Sequence, residues 1–430
     1  MAHRSRRVLI VVENLPARRD RRVWREAQAL VAAGYGVSVI SPAAPDDEPE
    51  RVVDGIRLYT YRPPPEPSGA VGYIWEYAYS FAMISRLSVK AWRNEGFGAL
   101  QACNPPDVFF PLGAVYRRLG RCFVFDHHDL APEVYITRYG RDRGVLLRIL
   151  RFLERATFRT ADHVIATNES YRRVAVERGG CLPSQVTVVR NGPDLELMPQ
   201  VPACPELKAG RPLLGLWFGN MGPQDGVDRA LRAIEVLVHR LGRTDCHFAF
   251  VGRGDVLDDM RRLATRLRLD EWVTFTGWIE DELAFAYLST ADVGLSPDPP
   301  SPLNDVSTMN KTMEYMAFAV PVVAFDLHET RVSAGDAALY AVPDDIGSFA
   351  ELVDELLSDP ARRAELGALG RRRVEDSLAW SLQREDYVAV YRLLLGPPPP
   401  PDGLREGQGA TTGLDEAPPA GLPRRLGADA

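Results

Sequence analysis

The sequence has little lysine, little cysteine and no long apolar run. Of its 51 basic residues only Lys90, Lys208 and Lys311 are lysine, so arginine supplies nearly all of the positive charge. The five cysteines are far apart and include no CxxC pair, which gives no zinc framework and suits a reducing compartment. Acidic residues outnumber basic ones, and the formal net charge of -7 argues against a dedicated nucleic-acid binder.

The lack of long apolar runs also bears on location. The N-terminus is basic like a signal peptide, but the apolar run at 8–12 stops at Glu13, which is typical of a strand. No uninterrupted run approaches the roughly 18 to 20 apolar residues that a membrane span needs. We therefore expect a cytoplasmic protein, either soluble or peripheral at the inner face of the membrane.

Short β-branched runs alternate along the chain with amphipathic stretches, which predicts parallel sheets wrapped by helices. At 430 residues the chain exceeds what one hydrophobic core usually covers, so we expect two domains. Predicted strands of a first series lie at 8–12, 37–40, 56–61, 108–110, 122–125, 164–166 and 186–189. Those of a second series lie at 213–218, 247–251, 273–275, 293–295 and 322–325.

The proline-rich stretch 199–212 separates the two series, so the predicted domains are residues 1–198 and 199–377. Doubly wound sheets bind ligands beyond the carboxyl ends of their strands, and two such domains facing each other make a cleft. Residues 397–430 are rich in proline and glycine and are predicted to be a disordered tail. The predicted fold class is therefore α/β, with two doubly wound, Rossmann-like domains.

The segment 296–326, SPDPPSPLNDVSTMNKTMEYMAFAVPVVAFD, predicts a loop, a helix and a buried strand. The start of a helix attracts phosphate, and polar side chains stand there at Asn304, Ser307, Thr308 and Asn310. Lys311 and Glu314 are three residues apart and so share a helix face, where one can neutralise a diphosphate and the other can bind ribose hydroxyls. A solvent-facing ion pair is the alternative, although the scarcity of lysine favours a specific role.

The sequence DHHD at 126–129 follows a predicted strand, so its side chains are expected at the carboxyl end of the first sheet. Two adjacent histidines could suggest a metal, but a metal site needs three or four convergent ligands and no second cluster of His and Cys accompanies them. We therefore expect no metal. Capping of the next helix by Asp126 or Asp129 is the structural alternative.

The order of these pieces resembles that of the retaining glycosyltransferases of family 4, which have the GT-B architecture of two facing Rossmann-like domains. The similarity spans about residues 7–395. It is carried by KTMEYMAFAVPVVAFD at 311–326, RNGPD at 190–194, FVGRGD at 250–255, VTFTGWI at 273–279 and ADVGLSP at 291–297. The resemblance implies that a C-terminal helix at about 378–396 crosses back onto the first domain.

The same resemblance implies roles for individual residues. His128 is similar to the cleft histidine of the family, which is expected to contact the sugar or the acceptor, and Asp129 beside it is the second catalytic candidate. Glu314 resembles the second acid of an E-x7-E motif and would hold the ribose. The first acid of that motif would fall at Val306, and Asp305 next to it is a substitute to be tested.

The loop GNMGPQDG at 219–226 is similar to the loop of the family that binds the donor phosphates. Family members commonly carry arginine and lysine at the positions of Asn220 and Asp225, which are not cationic here. Lys311, Arg253 and backbone N–H groups are left to stabilise the departing diphosphate. The remaining donor-binding candidates are Gly219, Gly226, Gly252, Gly277, Trp278 and Ile279, of which the last three would read the nucleobase through backbone groups.

The activity implied is a metal-independent, retaining transfer of a sugar in polysaccharide or glycoconjugate synthesis, with a UDP-sugar as substrate and no cofactor. GDP-sugars stay open as donors, as do lipid-linked sugars, saccharides and small molecules as acceptors. The aromatic-rich stretch 71–92 and the arginines at 18, 19, 21 and 22 predict contact with an anionic membrane, unless 71–92 is simply a buried helix. A sugar-nucleotide epimerase and a non-catalytic sugar-nucleotide-binding protein are the alternative functions.

Overall fold

A computed structural model of the protein describes residues 5–45, 47–65 and 69–398. Its strands are β1 Arg7–Val11, β2 Gly36–Pro42, β3 Glu50–Val53, β4 Ile56–Tyr61, β5 Ala99–Cys103, β6 Cys122–His127, β7 His163–Ala166, β8 Val186–Val188, β9 Leu213–Phe218, β10 Cys246–Val251, β11 Val273–Gly277, β12 Val293–Ser296, β13 Val322–Phe325 and β14 Ala338–Ala341. Its helices are α1 Arg21–Ala32, α2 Gly69–Asn94, α3 Phe110–Arg118, α4 Ala131–Tyr139, α5 Val145–Thr160, α6 Glu169–Arg173, α7 Val227–Glu235, α8 Leu257–Arg266, α9 Asp281–Thr290, α10 Asn310–Ala317, α11 His328–Ala334, α12 Ile346–Ser358, α13 Pro360–Arg373 and α14 Trp380–Leu395. The predicted tail at 397–430 lies outside the described residues from 399 onward.

The strands form two sheets, which confirms the predicted α/β fold. The first has the order β3-β4-β2-β1-β5-β6-β7-β8 and is parallel except for the β3–β4 pair, and the second, β11-β10-β9-β12-β13-β14, is parallel throughout. The strand order reverses beside β1 in one sheet and beside β9 in the other. In doubly wound folds a ligand crevice lies beyond the carboxyl ends of the strands at such a reversal. The exact domain boundary at residue 198 stays a prediction.

The apolar run of β1 is continuous because both faces of the first sheet are covered. Val8 and Ile10 pack in one buried cluster with side chains of α1 and α14, while Leu9 and Val11 pack on the other face with α2 and α3. Successive side chains of a strand point to opposite faces, so a strand buried on both sides needs apolar residues at every position.

Helix α1 brings a group of arginines to the carboxyl end of β1. It begins where the Asp20 side chain accepts the backbone N–H groups of Arg22 and Val23. Its apolar face is buried through Val23 and Leu30, and the chain leaves the helix through Gly34, whose φ is 89°. The cap and the apolar face together fix the arginines of the first turn against the site described below.

The prediction of a strand at 108–110 is wrong. These residues lead into α3, which begins at Phe110 with Pro111 in its first turn, where the missing N–H of proline costs nothing. The strand that follows β4 and precedes β6 in the chain is β5, which the sequence pattern missed because the polar Gln101 interrupts its apolar run. The sequence pattern also missed β3, a half-exposed strand at the edge, and β14. The other predicted strands are confirmed, with ends that match or differ by at most two residues.

Helix α14 crosses back onto the first sheet, as predicted. Trp380, Tyr387 and Tyr391 lie buried on its inner face, where each large side chain contributes about 2 kcal/mol by leaving water. The hydroxyl groups of both tyrosines donate to Oε1 of Gln101, at 2.8 Å for Tyr387. This pairing explains how the central strand β5 tolerates a buried glutamine.

Candidate active site

A cavity of about 490 Å³ lies between the two sheets, beyond the carboxyl ends of β1, β6 and β7. Six predicted site residues line it: His128, Asp129, Ser307, Thr308, Asn310 and Glu314. His128 and Asp129 follow β6 directly, whereas Glu314 comes from α10 of the second domain. Side chains predicted from two distant parts of the chain therefore converge on one space.

A second cavity, of about 560 Å³, lies at the opposite edge of the first sheet, where β6 begins. Arginines of α3 and α5 line it, together with Asp162 and Leu394. None of the predicted site residues reaches it. We therefore assign the candidate active site to the cavity between the sheets, which lies where doubly wound folds bind their ligands.

His128 is held by a buried charge network. Its Nε2 lies 2.6 Å from Oδ2 of Asp126 and 2.9 Å from Nε of Arg22. The Arg22 guanidinium also pairs with Asp126 at 2.9 Å and with Glu26 at 3.0 Å. Gln101 Nε2 donates to both carboxylates, which links the network to the tyrosines of α14.

The pKa shifts follow from this arrangement. Burial alone would raise the pKa of Asp126, but Arg22 and His128 hold it well below its usual value. Burial and the neighbouring Asp126 raise the pKa of Glu26 well above its usual range. The network therefore keeps Asp126 ionised against Arg22, in a position that orients the His128 ring. Asp129 and Glu314 are different, because burial raises the pKa of both.

Arg22 does not belong to the surface cluster in which the sequence placed it, because it is only 5% exposed and is neutralised internally. Capping by Asp126 or Asp129 is also wrong. Helix α4 begins after Leu130 without a side-chain cap. Asp126 points instead into the charge network.

The two adjacent histidines point to opposite faces of β6. Burial, then the charges of Arg178 and His128, lower the pKa of His127 to about 3, and its ring packs against Phe158 and Tyr171. Four potential metal ligands do meet on the other face, with donor atoms within 4.8 Å of one another: Glu26, Cys103, Asp126 and His128. The Arg22 guanidinium contacts three of them and already supplies the positive charge.

Lys311 lies beside the cavity but does not line it. The side chain is buried, and its Nζ lies 2.5 Å from Oδ1 of Asp298, 3.9 Å from Oδ1 of Asp225 and 5.1 Å from the centre of the Trp217 ring. Two carboxylates of its own domain therefore face this lysine. Sequence reasoning missed Asp298, although a buried lysine requires an acid close by.

Glu314 faces the first domain. Its Oε1 lies 3.9 Å from a guanidinium nitrogen of Arg21, which also pairs with Asp281 at 2.7 Å. Burial raises the pKa of Glu314, and the charges of Arg21 and Arg25 oppose that shift. Thus α10 directs Lys311 inward and Glu314 toward the cavity, although the two are one turn apart.

Ser307 and Thr308 hydrogen-bond to the first domain. The Tyr171 hydroxyl lies 3.1 Å from Oγ of Ser307, and Asn168 Nδ2 donates to Oγ1 of Thr308 at 3.1 Å. The same amide donates to the carbonyl of Val306 at 2.9 Å. These bonds join α6 and its cap to the loop before α10, so the predicted donor segment also holds the two domains together.

The position of the missing first acid, Val306, packs against an apolar cluster of the first domain. The proposed substitute, Asp305, does not line the cavity. Its carboxylate instead accepts the backbone N–H of His328 at 3.0 Å, where α11 begins. Glu314 is therefore the acid that α10 presents to the cavity.

The remaining donor-binding candidates occupy three loops at the carboxyl edge of the second sheet, outside the cavity lining: Gly219, Asn220, Gly226, Gly252, Arg253, Gly277, Trp278 and Ile279. The loops touch, because Met221 donates to the Arg253 carbonyl at 2.8 Å. Gly252 has a φ of 135°, and a Cβ there would lie 1.8 Å from the carbonyl oxygen of Gly219. Glycine is required at this close approach whether or not a ligand binds.

Two family models match the chain. The model described as Glycosyltransferase Family 4 matches residues 20–197, and that described as Glycosyl transferases group 1 matches residues 213–359. The first match covers most of the first sheet and the second covers the second sheet. This order is the order of domains that the sequence motifs predicted.

Individual proteins match over most of the chain. A glycogen synthase of Mycobacterium tuberculosis is 24% identical over 391 residues, which cover 86% of this chain and 90% of the relative. A GDP-mannose-dependent monoacylated alpha-(1-6)-phosphatidylinositol monomannoside mannosyltransferase of Corynebacterium glutamicum is 28% identical over 264 residues, 59% of this chain and 64% of the relative. The solved structure of Anabaena HepE in complex with UDP-glucose has a TM-score of 0.66 and 16% identity, over 89% of this chain and 98% of that chain.

None of the helices in the described residues is both long enough and apolar enough to cross a membrane. The two family matches, which together cover most of the chain, and the two largely parallel sheets assign the chain to the glycosyltransferases of family 4, with the GT-B fold.

Proposed function

We propose that the protein transfers a sugar from a UDP-sugar to an acceptor, with retention of the anomeric configuration and without a metal, in polysaccharide or glycoconjugate synthesis. The observation that carries the proposal is the convergence of His128 and Glu314, from different domains, on one cavity. A donor in that cavity would place its ribose at Glu314 and its sugar near His128. The acceptor would enter from the first domain.

In this reaction the acceptor oxygen attacks the anomeric carbon on the face from which the nucleotide leaves. The bond between that carbon and the diphosphate breaks, and the departing phosphate takes the proton of the acceptor hydroxyl. The protein orients the partners and excludes water from a donor that water could hydrolyse. The Asp126–Arg22 pair would fix the His128 ring against a sugar hydroxyl, and Asp129 beside it is the second candidate to touch the reacting groups.

UDP is the preferred nucleotide because HepE, which shares the fold, is solved with UDP-glucose. The relative from Corynebacterium glutamicum is described as GDP-mannose-dependent, so GDP is the competing donor base. That relative is also described as acting on a phosphatidylinositol monomannoside, which supports a lipid-linked acceptor here. Tyr73, Ile74 and Trp75 form an exposed apolar turn near the start of α2, and we propose that it touches the membrane from the cytoplasmic side.

A thermal-shift series with UDP, GDP and ADP tests the donor site, since a ligand that binds the native state raises its apparent stability. We expect one nucleotide to stabilise the wild type. Its affinity should be about tenfold weaker in Glu314→Gln and unchanged in the exposed control Glu351→Gln. Donor turnover that depends on an acceptor and persists in EDTA would support metal-independent transfer. Conversion of the donor without an acceptor would indicate an epimerase.

A non-catalytic sugar-nucleotide-binding protein is the second candidate. The pairing of Lys311 with Asp298 favours it, because that lysine then offers little free charge to a departing diphosphate. Nucleotide binding without consumption of any donor, across a panel of sugars and acceptors, would decide for this alternative.

A further inference from the structure

We infer that Arg18 and Arg19, in the loop between β1 and α1, bind the diphosphate of the donor and stabilise its charge as it leaves. The inference rests on the proposed function, since it needs a nucleotide-sugar in the cavity between the domains. It assigns this task to the first domain, because no lysine or arginine among the described residues of the second domain lines the cavity.

The second domain presents negative charge to the cavity. Its lining residues are Asp281, Phe285, Ser307, Thr308, Asn310 and Glu314, which include two acids and no base. Lys311 stays behind this surface, paired with Asp298 and close to Asp225. Arg253 lies in a neighbouring loop outside the lining. A diphosphate held by these groups alone would meet repulsion.

Among its described residues, the first domain presents five arginines to the same cavity: Arg18, Arg19, Arg21, Arg22 and Arg25. Three of them already have partners within the protein. Arg22 pairs with Asp126, Arg21 pairs with Asp281 at 2.7 Å, and Arg25 donates to the Gly192 carbonyl at 2.6 Å. Their guanidinium groups therefore already contact other groups of the protein.

Arg18 and Arg19 differ from these three. Within residues 5–45, 47–65 and 69–398, neither side chain has a salt bridge or a hydrogen bond. Both are exposed, and the Arg18 guanidinium lies over the Trp24 ring, 5.9 Å from its centre. Stacking on an aromatic ring leaves the N–H donors of a guanidinium available to a ligand.

The loop that carries the two arginines is fixed at both ends. Before them, the Ala17 N–H donates to the buried Ser41 hydroxyl at 3.1 Å. After them, Asp20 caps α1 through two bonds of 3.1 Å to backbone N–H groups. The arginines thus stand at the carboxyl end of β1, beside the reversal of strand order where doubly wound sheets bind phosphates.

The chemistry of transfer explains the need for them. When the bond from the anomeric carbon to the phosphate oxygen breaks, its electron pair stays on that oxygen and the nucleoside diphosphate gains one negative charge. The acceptor oxygen bonds to the carbon, and its proton passes to the departing phosphate. Guanidinium groups donate paired hydrogen bonds to phosphate and favour the state in which that charge has developed.

The test compares each nucleoside diphosphate with its nucleoside: UDP with uridine, and GDP with guanosine, by isothermal titration calorimetry. In Arg18→Gln/Arg19→Gln we expect the preference for the diphosphate to fall at least about tenfold, while nucleoside affinity stays unchanged. The matched control is the exposed pair on α8, Arg261→Gln/Arg262→Gln, which should keep the preference of the wild type. For donor hydrolysis, we expect kcat to fall by a larger factor than KM rises in Arg18→Gln/Arg19→Gln, and not in the control variant.

Diphosphate binding that the double substitution leaves intact would overturn this inference and leave the proposed function standing. A second outcome would also overturn the inference and leave the proposed function standing. Inorganic phosphate would compete with the acceptor in the wild type, and the substitution would remove this competition without changing diphosphate binding, which would show that the arginines bind a phosphate group of the acceptor. Failure of the wild type to bind either diphosphate would overturn the proposed function and this inference with it.

Discussion

Nζ of Lys311 lies 2.5 Å from Oδ1 of Asp298, and both side chains are buried in the second domain. The lysine that the sequence marked as the phosphate contact is thus already paired within its own domain. When a buried ion pair loses one member, the other is left charged and without a partner. Each single substitution should therefore lower the free energy of unfolding strongly, whereas the double substitution should lower it by less than the sum of the two.

We predict that Lys311→Met and Asp298→Asn each lower the free energy of unfolding by about 3 kcal/mol, and that the double variant loses less than the sum of the two. Urea denaturation of the four proteins measures this coupling. Arg331→Met, which breaks an exposed pair with Asp326, should cost at most about 1 kcal/mol. Additive losses for Lys311 and Asp298 would contradict the pairing.

The adjacent histidines provide a second prediction. Under the proposed function His128→Ala should lower the transfer rate about 100-fold, because the ring proposed to face the reacting sugar is lost. His127→Phe should leave the rate within about threefold, since that ring is buried among aromatic side chains and a pKa of about 3 keeps it uncharged at neutral pH. Equal losses in the two variants would remove His128 from the mechanism. Thermal unfolding of both checks that the fold survives.

The third prediction concerns pH. Burial, reinforced by Glu76, raises the pKa of Glu13 from 4.5 to about 7. Between these two values the native state holds a proton that the unfolded chain has lost, so stability is highest below pH 4.5 and falls as the pH rises toward 7. Glu13→Gln removes the buried charge and should stabilise the protein by about 2 to 3 kcal/mol at pH 8, but hardly at pH 4.

Urea midpoints at both pH values measure the effect of Glu13→Gln, with the exposed Glu351→Gln as the control that should change neither midpoint. A variant that gains as much at pH 4 as at pH 8 would show that Glu13 acts through packing and not through its charge.

The fourth prediction concerns the exposed turn of α2. Replacement of Tyr73, Ile74 and Trp75 by serine should remove most of the binding to vesicles that contain an anionic phospholipid, because about 2 kcal/mol is lost for each large apolar side chain. Co-sedimentation measures the bound fraction. Leu382 and Leu393, exposed on α14, are the control when replaced by serine. Absence of vesicle binding by the wild type would rule out the membrane contact.

Much of the fold followed from local patterns. Continuous apolar runs such as those of β1 and β9 predicted buried parallel strands, because a strand covered on both faces needs apolar residues at every position. Since parallel strands end at a common edge, the position of His128 after a predicted strand was sufficient to predict that it faces the cleft. The role of Glu314 was predicted from its helix face and from its resemblance to a motif of the family. The pattern failed at β5, where a buried glutamine is satisfied by tyrosines that lie almost 300 residues later in the sequence.

The sequence alone determined the two-sheet architecture, the motifs of the family and the two segments that meet at the cavity. Tertiary structure decided which charges remain free there. Arg22 and Arg18 are near neighbours of similar sequence character, yet only Arg22 meets the buried carboxylate of Asp126, 104 positions away. Charge becomes available or neutralised through contacts between distant segments, and no local pattern of residues encodes those distances.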